Sequence, residues 1–142
     1  MVALAAAGWL VYSHTGSSHE LAWREVRLGD VQFTRKVTGV YRSQHSLAHL
    51  LASTMPGRAP ATPALNFDRD EVVVVSLGPR SSSGYALRVV RLAERRRRID
   101  LTLREQTPSL GEPVAARVTY PYLALAIRRS GKPVYVKLQG RP

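Results

Sequence analysis

The chain has 142 residues, 44% of them hydrophobic, enough for one packed core and too few for two ordinary domains. Its 21 Lys and Arg against 10 Asp and Glu leave a formal charge of +11, which admits nucleic acid, anionic lipid and acidic protein surfaces as partners. It has no cysteine, which excludes disulfides, thiolate metal sites, a cysteine nucleophile and a lipidated cysteine.

In chain order, Val2 to Tyr12 carries no charge and one glycine. That length fits a signal-peptide core or part of an anchor better than a full membrane span of about 20 residues, and a buried first element is the plain alternative. Ser13 to Glu20 is polar and reads as a linker. Residues 1–20 are therefore expected to form a hydrophobic signal or anchor segment with its linker, and 21–142 a single β-rich domain. Leu21 to Arg27 and Val31 to Val37 alternate roughly, with Gly29 and Asp30 between them. This predicts two short strands joined by a turn, the second running on to Tyr41 with a bulge at Gly39. Ser43 or Ser46 caps a helix whose Leu47, Leu50, Leu51 and Thr54 share one face, and Met55, Pro56 and Gly57 stop it. A proline-rich loop, Gly57 to Pro63, follows.

Glu71 to Val90 holds two β-branched runs separated by Gly78, Pro79, three serines and Gly84, the pattern of a central hairpin. Four valines in a row leave its first strand no wet face, so that strand is expected to be covered on both sides. Arg95 to Arg98 cannot lie in a core and mark the exposed turn of a second hairpin, after which Ile99, Leu101 and Leu103 alternate with polar residues. Thr107 to Pro113 is a loop, and Val114 to Thr119 resumes a period of two. Tyr120, Pro121 and Tyr122 interrupt it, because proline cannot donate to a ladder. Leu123, Leu125 and Ile127 form a strand, Ser130 to Lys132 turn the chain, and Val134, Val136 and Leu138 close it. The fold class is mainly β: an antiparallel sandwich or open barrel with one short helix.

Little here can do chemistry. His45 and His49 lie four apart on the helix, a spacing that zinc ligands use, but no glutamate base or third ligand accompanies them, and no metal or cofactor is expected. Ser81, Ser82 and Ser83 fall in no nucleophile motif. Asp68, Asp70 and Glu71 cluster ahead of the valines, where like charges can raise a pKa, and are read as turn formers and strand-edge charges. Neither enzymatic activity nor a small-molecule substrate is expected. Arg95, Arg96, Arg97 and Arg98, with Arg88, Arg91 and Arg104 near them, form a basic patch able to grip phosphates. No aromatic residue lies between Tyr85 and Tyr120 to interleave with it. That disfavours nucleic acid and leaves an anionic membrane surface, or a merely solvated hairpin tip.

From Asn66 onward, the order Phe67-Asp68, the valine run ending in Leu77-Gly78, Gly84-Tyr85, a charged strand ending at Glu105, Pro108, Gly111 and Tyr120-Pro121-Tyr122 resembles the carboxy-terminal domain of the PrcB family of protease-complex subunits, over about 66–142. The resemblance implies an exported or membrane-attached bacterial accessory protein that assembles with a protease complex and has no catalytic residues of its own. Gly84, Tyr85, Tyr120, Pro121 and Tyr122 match the family's most recognisable positions, and Ser83 stands where a further glycine is common. With Arg80 and Ser82 they form the candidate partner-binding set. The alternative for the tyrosines is structural, with rings in the core and hydroxyls at its rim. The Arg80 to Tyr85 loop is also similar to the glycine-tyrosine loop of chagasin-type cysteine-protease inhibitors, which implies inhibition as a second alternative. The expected role is thus a protein-binding accessory subunit in the bacterial cell envelope, outside the cytoplasm and attached through its amino-terminal segment. A basic binder of nucleic acid or anionic membrane is the other alternative.

Overall fold

The computed structural model describes residues 17–55, 57–58 and 61–140, so the apolar Val2 to Tyr12 segment lies outside the described residues. The elements are β1 (His19–Glu20), β2 (Trp23–Glu25), β3 (Lys36–Tyr41), α1 (Gln44–Ala52), β4 (Asp70–Leu77), β5 (Ala86–Glu94), β6 (Ile99–Gln106), β7 (Tyr122–Arg128) and β8 (Val134–Gln139). They form two four-stranded sheets, ordered β1-β5-β6-β8 and β2-β7-β4-β3. The architecture is a sandwich and not a closed barrel. Every pairing is antiparallel except β6 with β8, which is parallel.

The valine run sets the layering. Side chains on a strand alternate between faces, so a run that is apolar at every position needs cover on both. Val73 and Val75 meet the other sheet, packing with Leu92, Ile99, Leu101 and Leu103. Val72 and Val74 point the opposite way, onto Leu47 and Leu51 of α1 and onto Val26, Leu28, Val31 and Phe33. The β2-β7-β4-β3 sheet is therefore the middle layer, and the outer face of the β1-β5-β6-β8 sheet stays exposed to water. Burying each of these valines contributes roughly 1.5–3 kcal/mol.

Helix α1 begins where Ser43 caps it: Ser43 Oγ accepts from Ser46 N–H at 3.1 Å and Ser46 Oγ accepts from Ser43 N–H at 3.3 Å, a reciprocal box built from two serines. Leu47 and Leu51 are buried, while His45 and His49 face solvent. Among the described residues no helix is long and apolar enough to cross a membrane.

Several expectations are corrected. β4 and β5 are not a hairpin: β4 pairs with β3 and β7, β5 with β1 and β6, and the loop between them crosses from one sheet to the other. β2 pairs with β7 and β3 with β4, so the first two strands do not form a ribbon together, and Val31 and Phe33 belong to a covering segment. The β3–β4 register runs through Gly39 without a shift. The irregularity sits instead between Val89 and Arg91, where the extra residue turns Arg91 outward and Leu92 inward. At Gly39 the ring of Tyr41 occupies the space a Cβ would need, with its hydroxyl 2.8 Å away. Val114 to Val118 is exposed loop, not strand. His19 and Glu20, placed in the linker by composition, pair with Glu94 and Ala93. Glu71, read as a strand-edge charge, is fully buried, its carboxylate taken up by Arg42 and Ser130.

Candidate functional site

Two loops meet at one end of the sandwich. One, residues 78–85, leads from β4 to β5, and the other, 107–121, leads from β6 to β7. Because β4 lies beside β7 and β5 beside β6, both cross between the sheets at the same end. Gly78, at φ +83°, starts the first by turning the chain in a region that favours glycine.

The loops are tied together by their backbones. Arg80 N–H donates to the Thr119 carbonyl at 2.8 Å and the Arg80 carbonyl accepts from Thr119 N–H at 2.9 Å, an isolated antiparallel bridge. Thr119 Oγ1 donates to the Ser82 carbonyl at 2.6 Å, Ser83 N–H donates to the Ala115 carbonyl at 3.1 Å, and Ala115 N–H donates to Ser83 Oγ at 2.9 Å. The serine at 83 thus uses its hydroxyl for a bond that glycine cannot make. Gly84 is needed for close approach: a Cβ there would sit 2.5 Å from Pro108 Cβ and 2.8 Å from Val114 Cγ1.

Arg80 closes the clasp electrostatically. Its Nε pairs with Glu105, its Nη1 donates to the Leu77 and Pro79 carbonyls at 3.2 and 3.0 Å, and its guanidinium lies 6.0 Å from the Tyr85 ring centre. The hydrogen bond to Glu105 raises the Arg80 pKa further above neutrality, so the group stays charged.

The candidate set divides in two. Arg80, Ser82, Ser83, Gly84 and Tyr85 lie on the first loop, with Tyr120 and Pro121 where the second enters β7, and Tyr85 and Tyr120 are half-buried. Tyr122 is turned into the fold, where its hydroxyl accepts from Leu28 N–H at 2.9 Å and its ring meets Phe33 edge-on at 5.7 Å. The Pro121 carbonyl accepts from buried Ser76 Oγ at 3.1 Å. Sequence reasoning missed the apolar residues of the second loop: Leu110 is fully exposed, Val118 is 60% exposed, and Val114 is partly so. The available signal was Leu110 itself, an apolar residue between Ser109 and Gly111 in a proline-bounded loop.

The arginine turn lies at the opposite end, since β5 runs from the clasp to Glu94. The Arg95 N–H to Arg98 carbonyl bond closes it at 2.8 Å. Arg95 and Arg98 both engage Asp100, Arg98 at 2.9 Å, whereas among the described residues Arg96 and Arg97 meet no carboxylate. The aromatic neighbour missing from the local sequence comes from β8, with Tyr135 lying 5.3 Å beneath the Arg98 guanidinium.

Residues 72–128 match the model of the PrcB C-terminal family. The stretch runs from the first valine of β4 to the end of β7, narrower than the 66–142 expected, and it contains both clasp loops and the arginine turn. No curated protein and no solved structure matches the chain.

Proposed function

We propose, taking the PrcB C-terminal match over residues 72–128 as the premise, that this chain is a non-catalytic accessory subunit that binds a protein partner through its clasp end, as part of a protease complex or another envelope complex. The observation that carries the reading is Leu110, with Val114 and Val118, standing exposed on a loop that Arg80, Ser82 and Ser83 hold in place. Apolar side chains on a pre-ordered support are what a protein interface needs, because little entropy remains to be lost on docking. Val2 to Tyr12 serves as signal or anchor in this reading and puts the domain outside the cytoplasm. The inhibitor reading has less support, since Pro108 and Val114 cover Gly84, the residue such a loop would insert.

The test is recovery from native membranes with the full chain as bait, compared with Leu110→Ser/Val118→Ser. A protease or another envelope complex should come with the parent chain and be lost with the variant. Recovery of the monomer alone, or equal recovery with both, would refute the assignment.

A further inference from the structure

We infer that the arginine-turn end of the bare outer face of the β1-β5-β6-β8 sheet is a docking surface for an anionic bilayer, and that it aims the clasp, at the other end of β5, away from the membrane. On this face Arg91, Thr102 and Lys137 are cross-strand neighbours, and so are Arg88 and Arg104 one row nearer the clasp. The bulge between Val89 and Arg91 is what places Arg91 here, since uninterrupted alternation from Leu87 and Val89 would turn it inward. With Arg95 to Arg98 at the end of the face, two carboxylates share it: Asp100, which Arg95 and Arg98 both engage, and exposed Glu20 on the edge strand opposite Ala93, so cations outnumber carboxylates there. A cleft of about 500 Å³, whose charged and aromatic lining is Arg91, Arg95, Arg98, Asp100, Tyr135 and Lys137, lies between the turn and β8. It presents guanidinium and ammonium donors to an anion, and a tyrosine ring to the apolar part of a headgroup.

The route of the chain selects a bilayer over other polyanions. β1 runs antiparallel to β5 with His19 opposite Glu94 and Glu20 opposite Ala93, so the residues before His19 leave the sheet at the arginine-turn end. Ser18 is at that corner, its hydroxyl accepting from Arg91 Nη2 at 3.2 Å. Five residues, 13–17, separate Ser18 from Tyr12, the end of the uncharged apolar stretch, a reach of at most about 20 Å. Any membrane holding that stretch therefore lies beside the basic end, while the clasp stands roughly 25–30 Å away along β5. Cations near an anionic leaflet add attraction that decays within a Debye length, so orientation follows from where they cluster. The inference rests on the reading above only in setting the chain beside a membrane; it does not depend on which protein the clasp holds.

Flotation of the full chain with phosphatidylglycerol-containing and purely zwitterionic vesicles tests it, the ratio of the two partition coefficients isolating charge from apolar insertion. The parent chain should prefer anionic vesicles, and 0.5 M salt should largely abolish the preference. Arg91→Ser/Arg98→Ser/Lys137→Ser should reduce the ratio on the order of tenfold to a hundredfold. A control with the same loss of charge elsewhere, Arg27→Ser/Arg58→Ser/Arg69→Ser, should change it less than about threefold. Arg96→Ser/Arg97→Ser alters the exposed tip alone and should still reduce the ratio by about fivefold or more, which keeps the test decisive if the triple variant is misfolded. No anionic preference in the parent chain, equal losses in the face and control variants, or displacement from vesicles by a single-stranded oligonucleotide bound more tightly through the same arginines would overturn the inference.

Discussion

Arg42→Met should be among the most damaging single changes available in this domain. The Glu71 carboxylate is fully buried at the start of β4, its Oε2 accepting from Arg42 Nε at 2.7 Å and its Oε1 from Ser130 Oγ at 3.3 Å. Arg42 also donates through Nη2 to the Lys132 carbonyl at 3.1 Å, so one guanidinium joins β4 to the turn before β8. Removing it strands a buried carboxylate on a single hydroxyl. Truncating one partner of a buried pair typically costs 3–5 kcal/mol, and because the Arg42 side chain is 37% exposed, water can enter the vacated space; the lower end, about 3 kcal/mol, is expected. Against a total of roughly 5–15 kcal/mol, that lowers the melting temperature by about 10–15 °C. Urea unfolding followed by circular dichroism should show an earlier midpoint at unchanged slope. Glu71→Gln, which removes the charge and leaves Arg42 near solvent, should cost only about 1–2 kcal/mol. The double variant Arg42→Met/Glu71→Leu should recover most of the loss, since no orphaned charge is left. A loss below about 1 kcal/mol for Arg42→Met, or a double variant as unstable as the sum of the singles, would refute the reasoning.

Other outcomes follow from single contacts. Tyr122→Phe keeps the ring on Phe33 but deprives Leu28 N–H of its acceptor, and should cost about 1–3 kcal/mol in chemical denaturation; an unchanged midpoint would mean that water replaces the hydroxyl. Gly84→Ala drives a methyl into Pro108 and Val114, so amide exchange across 107–119 should rise markedly while the core strands keep their protection; uniform protection in the variant would show that the loops absorb it without parting. The hydrogen bond from Lys132 holds the Glu94 carboxyl below its ordinary pKa, aided by His19 at 3.0 Å and opposed by burial. A depressed folded pKa means that this contribution is present above the unfolded carboxylate value, about 4.3, and disappears as pH falls through the folded one. Glu94→Gln should therefore flatten the loss of stability below about pH 4.5, and parallel stability curves for the two proteins would exclude the effect.

Much of the fold is written in short-range pattern. The reciprocal serine cap and leucine stripe define α1, the alternation of Ile99, Leu101 and Leu103 defines β6, and four charged residues in a row have to form an exposed turn. Even the two-sided burial of β4 follows from Val72 to Val75, because no strand geometry gives four successive valines a wet face. The arginine patch and the Arg80 to Tyr85 loop were legible for the same reason: their residue types cannot be hidden in a core, or punctuate the chain wherever they occur.

What local pattern could not supply was partnership. A polar loop of eight residues suits a hairpin or a crossing between sheets equally well, and β5 goes to the far sheet, where Leu87, Val89 and Leu92 pack against Val73, Val75, Leu123 and Leu125 of the facing sheet. Long-range packing also tied Ser83 to Ala115, brought Tyr135 beneath Arg98 and closed Arg42 over Glu71, contacts separated by dozens of residues in the chain. The sequence by itself determined which residues need burial and which must stay wet. Only the tertiary structure decided which of the wet ones share a surface, because side-chain period reports the face of an element and carries no record of the neighbour that the face will meet.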